Sequence, residues 1–185
     1  MIQLAQLLGV TALAALALAL SIVLRQAGRL IAATRQIEGF RRSVADLAAR
    51  IDTSLAGVAT LIDGVRRRTI EAESIGDNLA AASDAVERYA AEARGLHGPP
   101  GSNDIRDAIV DELDRAGRAL QMVEHGCSIL TSARVRGREL EAQTAIKRGY
   151  LNVLHAREAI GRHAARAASF DATHRPAGMF ERRNA

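Results

Sequence analysis

Five histidines and one cysteine are the side chains with the widest chemical reach: His97, His125, His155, His163, His174 and Cys127. His155 and Glu158 lie three apart and so share a helix face, with His163 two turns further on. Helical metal sites are built on Glu-x-x-His pairs or on His-Glu-x-x-His, and neither spacing occurs. These histidines therefore read as surface residues. Cys127 falls on an apolar seam with only His125 near it as an activating cation, so it reads as a small core residue. Gly98-Pro-Pro-Gly-Ser102 is glycine-rich but lacks the Gly-Lys-Ser/Thr ending of a phosphate loop, and it reads as a turn. The expectation is a protein that is not an enzyme, with no catalytic, cofactor or metal residues.

A sequence pI near 10.1 raises nucleic acid as a partner, with Arg66-Arg67-Arg68 and Arg134, Arg136 and Arg138 as the basic clusters. The net charge is only +4, however, and three Phe and two Tyr are the whole aromatic complement. Few bases could be stacked by such a chain, and nucleic-acid binding is not expected.

The elements that carry these residues begin with an uncharged run from Ile2 to Leu24. Twelve of its residues are Leu, Ile or Val, and Gln3, Gln6, Thr11 and Ser21 are its polar members. A helix needs about 20 mainly apolar residues to cross a bilayer. The run lacks the preceding basic residues of a signal peptide, and its small-x-small sites lie inside it. Residues 1–24 thus read as a transmembrane anchor. Arg25, Arg29, Arg35, Arg41 and Arg42 follow it, and only the amino terminus precedes it. Basic flanks stay in the cytoplasm, so the expected location is the inner membrane, single-pass, with the N-terminus outside and residues 25–185 in the cytosol. A single Cys suits a reducing compartment.

Over residues 25–97 the pattern turns periodic. Steps of seven from Leu30 give Ile37, Val44, Ile51, Val58, Val65, Ala72, Leu79, Val86 and Ala93, all apolar. Three residues after each come Ala33, Phe40, Leu47, Ser54, Leu61, Arg68, Ile75, Ala82, Tyr89 and Leu96, of which only Ser54 and Arg68 are polar. A sustained seven-residue repeat is the mark of a coiled coil, and without proline between 25 and 98 one helix of about 100 Å is possible. The candidate partner-binding seam is Ile37, Phe40, Val44, Leu47, Ile51, Val58, Leu61 and Val65. The same stripe also suits a helix packed against its own chain.

Residues 98–102 form the turn, with Gly98 as a left-handed cap and Asn103 or Asp104 as the next N-cap. Apolar spacing then predicts return helices over about 103–132 and 138–168, joined by a kink or short loop, and residues 170–185 as a frayed basic tail. The fold class is all-α: an anchor, a long heptad-patterned helix and a helical return arm, as an antiparallel hairpin or coiled coil. Residues 25–68 carry nine basic and four acidic side chains, 69–96 two and six, 102–132 three and six, and 133–185 eleven and five. In a simple hairpin this sets like charges beside each other at the base. Anionic lipid headgroups are then the expected partner of Arg25, Arg29, Arg35, Arg41 and Arg42.

The span Leu7 to Leu24, its flanking arginines and the stripe Ile51-Asp52-Thr53-Ser54-Leu55 with Leu61-Ile62-Asp63 resemble the bacterial membrane-anchored coiled-coil family called domain of unknown function 948. The resemblance covers residues 1–96 and implies a stalk like that of a chemoreceptor, with no assigned activity. The expected function is a scaffold or spacer that self-associates or binds a partner helix near the inner leaflet. A signalling or sensor adaptor and a helical subunit of a membrane enzyme complex, using the histidine-bearing helix 150–163, are the competing classes.

Overall fold

The computed structural model describes residues 2–132 and 137–170, with the side chains of 2–19, 22–24 and 26–31 outside the described set. It is all-helical: α1 Ile2–Arg66, a 3-10 turn Ala72–Ile75, α2 Gly76–Arg94, α3 Asn103–Thr131 and α4 Glu139–Ala168. The return helices fall within a residue of their expected bounds. The long first helix does not: it ends at Arg66 rather than running to residue 97.

The break is a helix-ending motif written in the residues after Leu61. Thr69 N–H donates to Gly64 O (2.9 Å) and Arg68 N–H to Val65 O (2.9 Å), the paired bonds that close a helix when the first of the two donor residues turns left-handed. That residue is Arg68, at φ 61°. Ile70 then folds back over Gly64, where an added Cβ would overlap the Ile70 side chain. A left-handed L-residue costs roughly 1–2 kcal/mol. Glycine returns about 0.5–1 kcal/mol of that through the freedom of the unfolded chain. Arg68→Gly is therefore expected to stabilise the protein by about 0.5–1 kcal/mol, read as a higher midpoint in urea with an unchanged slope.

The remaining turns place glycine where space or a positive φ demands it. Gly101 (φ 89°) takes the left-handed position in the 98–102 turn, not Gly98 as the sequence suggested. Gly98 instead lies against Phe40, whose Cδ2 would be 2.8 Å from an added Cβ. The residue preceding α3 is Ser102, with Asn103 and Asp104 already helical. Its buried hydroxyl donates to Pro99 O (2.8 Å) and locks the turn.

Each helix runs antiparallel to the next and α4 returns beside α1, so α1, α2, α3 and α4 close a ring around one core. Gln36 Nε2 donates to Gly98 O (3.1 Å) at one end of this ring, while Arg66 stacks 5.3 Å over Tyr150 at the other. α4 runs back antiparallel along α3. Gly126 faces Ala142 and Ile146, and Gly149 faces Ala119 and Val123. With both glycines and the buried Ala116, Ala119, Ala142 and Ala156 in the interface, the two backbones approach closely.

Among the described side chains of α1, the buried ones run from Phe40 to Val65 and include Leu55, Ala59 and Ile62 beside the heptad rows. That stripe is wider than a two-stranded seam needs and fits a helix serving a multi-helix core. Residues 32–36 are exposed.

The expected location requires correction. Among the described residues no helix is long and apolar enough to cross a membrane, so the single-pass inner-membrane reading, with its orientation, is withdrawn. The side chains of the run 2–24, apart from Leu20 and Ser21, lie outside the described residues, as do those of Arg29, Arg134, Arg136 and His174 and the tail after Phe170.

Candidate functional surfaces

The seam assigned to a partner is occupied by the chain itself. Phe40, Val44, Leu47, Ile51, Val58 and Val65 are buried in the bundle core, and Ile37 and Leu61 are half-buried. Filling the groove with α2, the 3-10 turn, α3 and α4 removes these atoms from water once, and no second helix can bury them again. Any partner must use another surface.

Charge is partly resolved in the same way. The turn 97–104 packs beside Gln36 and Phe40, at the end where Arg41 donates to the Phe170 carbonyl. Folding in four sets basic α1 beside acidic α2, and acidic α3 beside basic α4. Ion pairs cross three of the junctions: Arg50 to Glu92, Arg94 to Asp114 (3.1 Å) and Arg157 to Asp52 (2.5 Å). Exposed ion pairs thus tie the segments together, although basic α4 still lies beside basic α1 and none of these pairs engages Arg25, Arg35, Arg41 or Arg42. Arg25 and Arg35 are exposed, Arg42 bonds the Glu38 carbonyl (3.3 Å), and half-buried Arg41 is taken up by Phe170.

The titratable groups with displaced pKa values are held more firmly in their ordinary state. Hydrogen bonding from Arg157 lowers Asp52, Arg66 and Arg67 lower Asp63, and Arg138 lowers Glu141. Burial, assisted by Glu124, pushes the Cys127 thiol up to about 11, which removes the thiolate needed for nucleophilic attack. His155 is exposed, and Glu158 beside it accepts from Arg162 Nη1 (2.8 Å).

The lowered carboxylates carry a pH dependence with a definite sign. Asp52 binds its proton less readily folded than unfolded, so its contribution is complete above the ordinary Asp pKa and is lost as pH falls through the lowered value. At 56% side-chain exposure the pair with Arg157 is worth no more than about 0.5 kcal/mol. Unfolding midpoints followed from pH 7 to pH 3 should decline, and Asp52→Asn should flatten that decline slightly.

Two features outside the sequence expectations remain. Large apolar side chains stand in water on the outer side of the α3–α4 hairpin: Leu140 (77% exposed), Leu151 (43%) and Met122 (41%). Met122 and Leu140 share a shallow groove with Ala145 and the Arg148 stem. Leu151 lies three turns along α4 from Leu140, on the same face. The eleven-residue spacing of these leucines was legible, but the buried seam beside them masked it. The second feature is a cleft of about 430 Å³ at the bundle end where α1 stops.

Comparison with known protein families, curated proteins and solved structures finds no match to this chain. The likeness to domain of unknown function 948 accordingly rests on the sequence pattern of residues 1–96, and function must be argued from these surfaces.

Proposed function

We propose that this protein is a non-enzymatic helical scaffold: a four-helix bundle on a long helix, joining a second copy of itself through the outer face of the α3–α4 hairpin. One observation carries the reading. With the α1 seam spent on the chain's own core, Leu140, Leu151 and Met122 are left as a line of large apolar side chains in water. Single exposed leucines are ordinary, but several on one face suit an interface. A scaffold also fits the electrostatics, in which arginine pairing and burial fix charge states instead of poising them for proton transfer.

Sedimentation of the full chain tests this. The wild type should sediment as a dimer or larger, and Leu140→Glu with Leu151→Glu should shift it toward the monomer without loss of helix. A monomeric wild type, or a double variant with unchanged mass, would reject self-association through this face.

A further inference from the structure

The cleft where α1 ends joins three features. Its floor is apolar, formed by Val65, Leu130 and Ile146. Its rim carries Arg66, Arg68 and Lys147 against a single carboxylate, Glu139, with the Gln143 amide between. The three cations are not equivalent. Arg66 is committed to Asp63 (2.6 Å) and to the face of Tyr150. Arg68 and Lys147 have no ion-pair partner among the described residues and are exposed. The volume is in the range of small-molecule sites.

Arg68 supplies the independent observation. It occupies the left-handed position that ends α1, where glycine fits without strain, and it alone among the described non-glycine residues has a positive φ. Backbone strain held at the mouth of a cleft points to a use for the side chain. The use on offer is a guanidinium directed at an anion, with a second free cation across the opening and apolar atoms beneath.

We propose that this cleft binds a small amphipathic anion, an apolar chain bearing one anionic headgroup, with Arg68 and Lys147 receiving the headgroup and Val65, Leu130 and Ile146 the chain. Arg66 shapes the wall and is not the primary contact, because it is already held by Asp63 and over the Tyr150 ring. Glu139 sets the selectivity: it repels a highly charged anion more than a singly charged one. The scaffold proposal uses the outer hairpin face, so either proposal can fail without the other.

The test is a titration of the full-length protein with decanoate, followed by the methyl resonances of Val65, Leu130 and Ile146. Saturable shifts at the methyl groups of these three residues are expected, about tenfold weaker in affinity with decanol, which lacks the charge for one charge-assisted hydrogen bond. Arg68→Gly keeps the turn, raises stability and should weaken decanoate by a similar factor of about ten. Lys147→Gln should weaken it too, while Arg118→Gln on another face should leave it unchanged. Shifts confined to other methyl groups, equal binding of decanol, or an Arg68→Gly variant that binds decanoate as well as the wild type would overturn the proposal.

Discussion

Gly149→Ala is expected to destabilise the protein by about 2–3 kcal/mol, although the same substitution in a free helix stabilises by about 1 kcal/mol. The added Cβ would lie 2.5 Å from Val123 Cγ2 and 2.7 Å from the Ala119 carbonyl oxygen. A side chain can turn away, but the carbonyl belongs to the backbone of α3 and moves only if the hairpin opens. Gly126→Ala meets the same obstacle from the other side, 2.7 Å from Ile146 Cγ1 and 2.9 Å from the Ala142 carbonyl oxygen, and should cost a similar amount. Gly161→Ala is the control on the same helix. Nothing lies within 4 Å of its added Cβ, so there the helix propensity should win and stability should rise by about 0.5–1 kcal/mol. Urea denaturation of the three variants checks the opposed signs directly.

Leu55→Ala is expected to cost about 2–5 kcal/mol, as a fully buried leucine in a core that cannot collapse fully onto the space left. Its concentration dependence matters as much as its size. If α1 buries Leu55 against its own chain, the loss is the same in dilute and concentrated protein. Measured with Leu140→Glu and Leu151→Glu also present, which removes the proposed hairpin interface, the variant's stability would still climb with concentration by mass action if the stripe joined separate chains. Leu151→Ala, on the exposed face of α4, should change monomer stability by less than about 0.5 kcal/mol.

Much of the helical content was legible because apolar spacing at three and four residues has one physical cause, burial of one face. The α3 and α4 bounds emerged from Ile109, Leu113, Val123, Ile146 and Val153 for that reason. What the spacing did not disclose is where the buried face finds its partner. The repeat from Leu30 to Ala93 passes through the α1 break almost undisturbed, since the 3-10 turn and α2 resume with apolar residues in step. Arg68 was visible as an interruption of one row. Its left-handed backbone was hidden because arginine rarely holds that conformation. The extra width supplied by Leu55, Ala59 and Ile62 was a readable sign of a bundle, and Gly126 and Gly149 of a close hairpin. Heptad counting gives weight to neither. The charge blocks were set side by side in two arms, whereas the chain folds in four, with ion pairs joining α1 to α2, α2 to α3 and α4 to α1 while basic α4 still lies beside basic α1.

Placing the functional surfaces from sequence was harder, because a residue's availability depends on every other element. Ile37 through Val65 had the clearest heptad spacing and was therefore the best candidate seam. That spacing is also why the chain's own helices take it. The cleft beside Arg68 joins residues from positions 65 to 147, a separation that no local pattern encodes.

The central claim is that α1 stops at Arg66 and the chain doubles back into its own bundle. Spin labels at Arg35 and His97, with Cys127 replaced by serine, report it in one distance measurement by pulsed electron paramagnetic resonance. The fold places these sites beside the 3.1 Å Gln36–Gly98 hydrogen bond, so a short distance within one chain is predicted. One unbroken helix would hold them about 90 Å apart at 1.5 Å per residue, and a distance of that order would contradict the account.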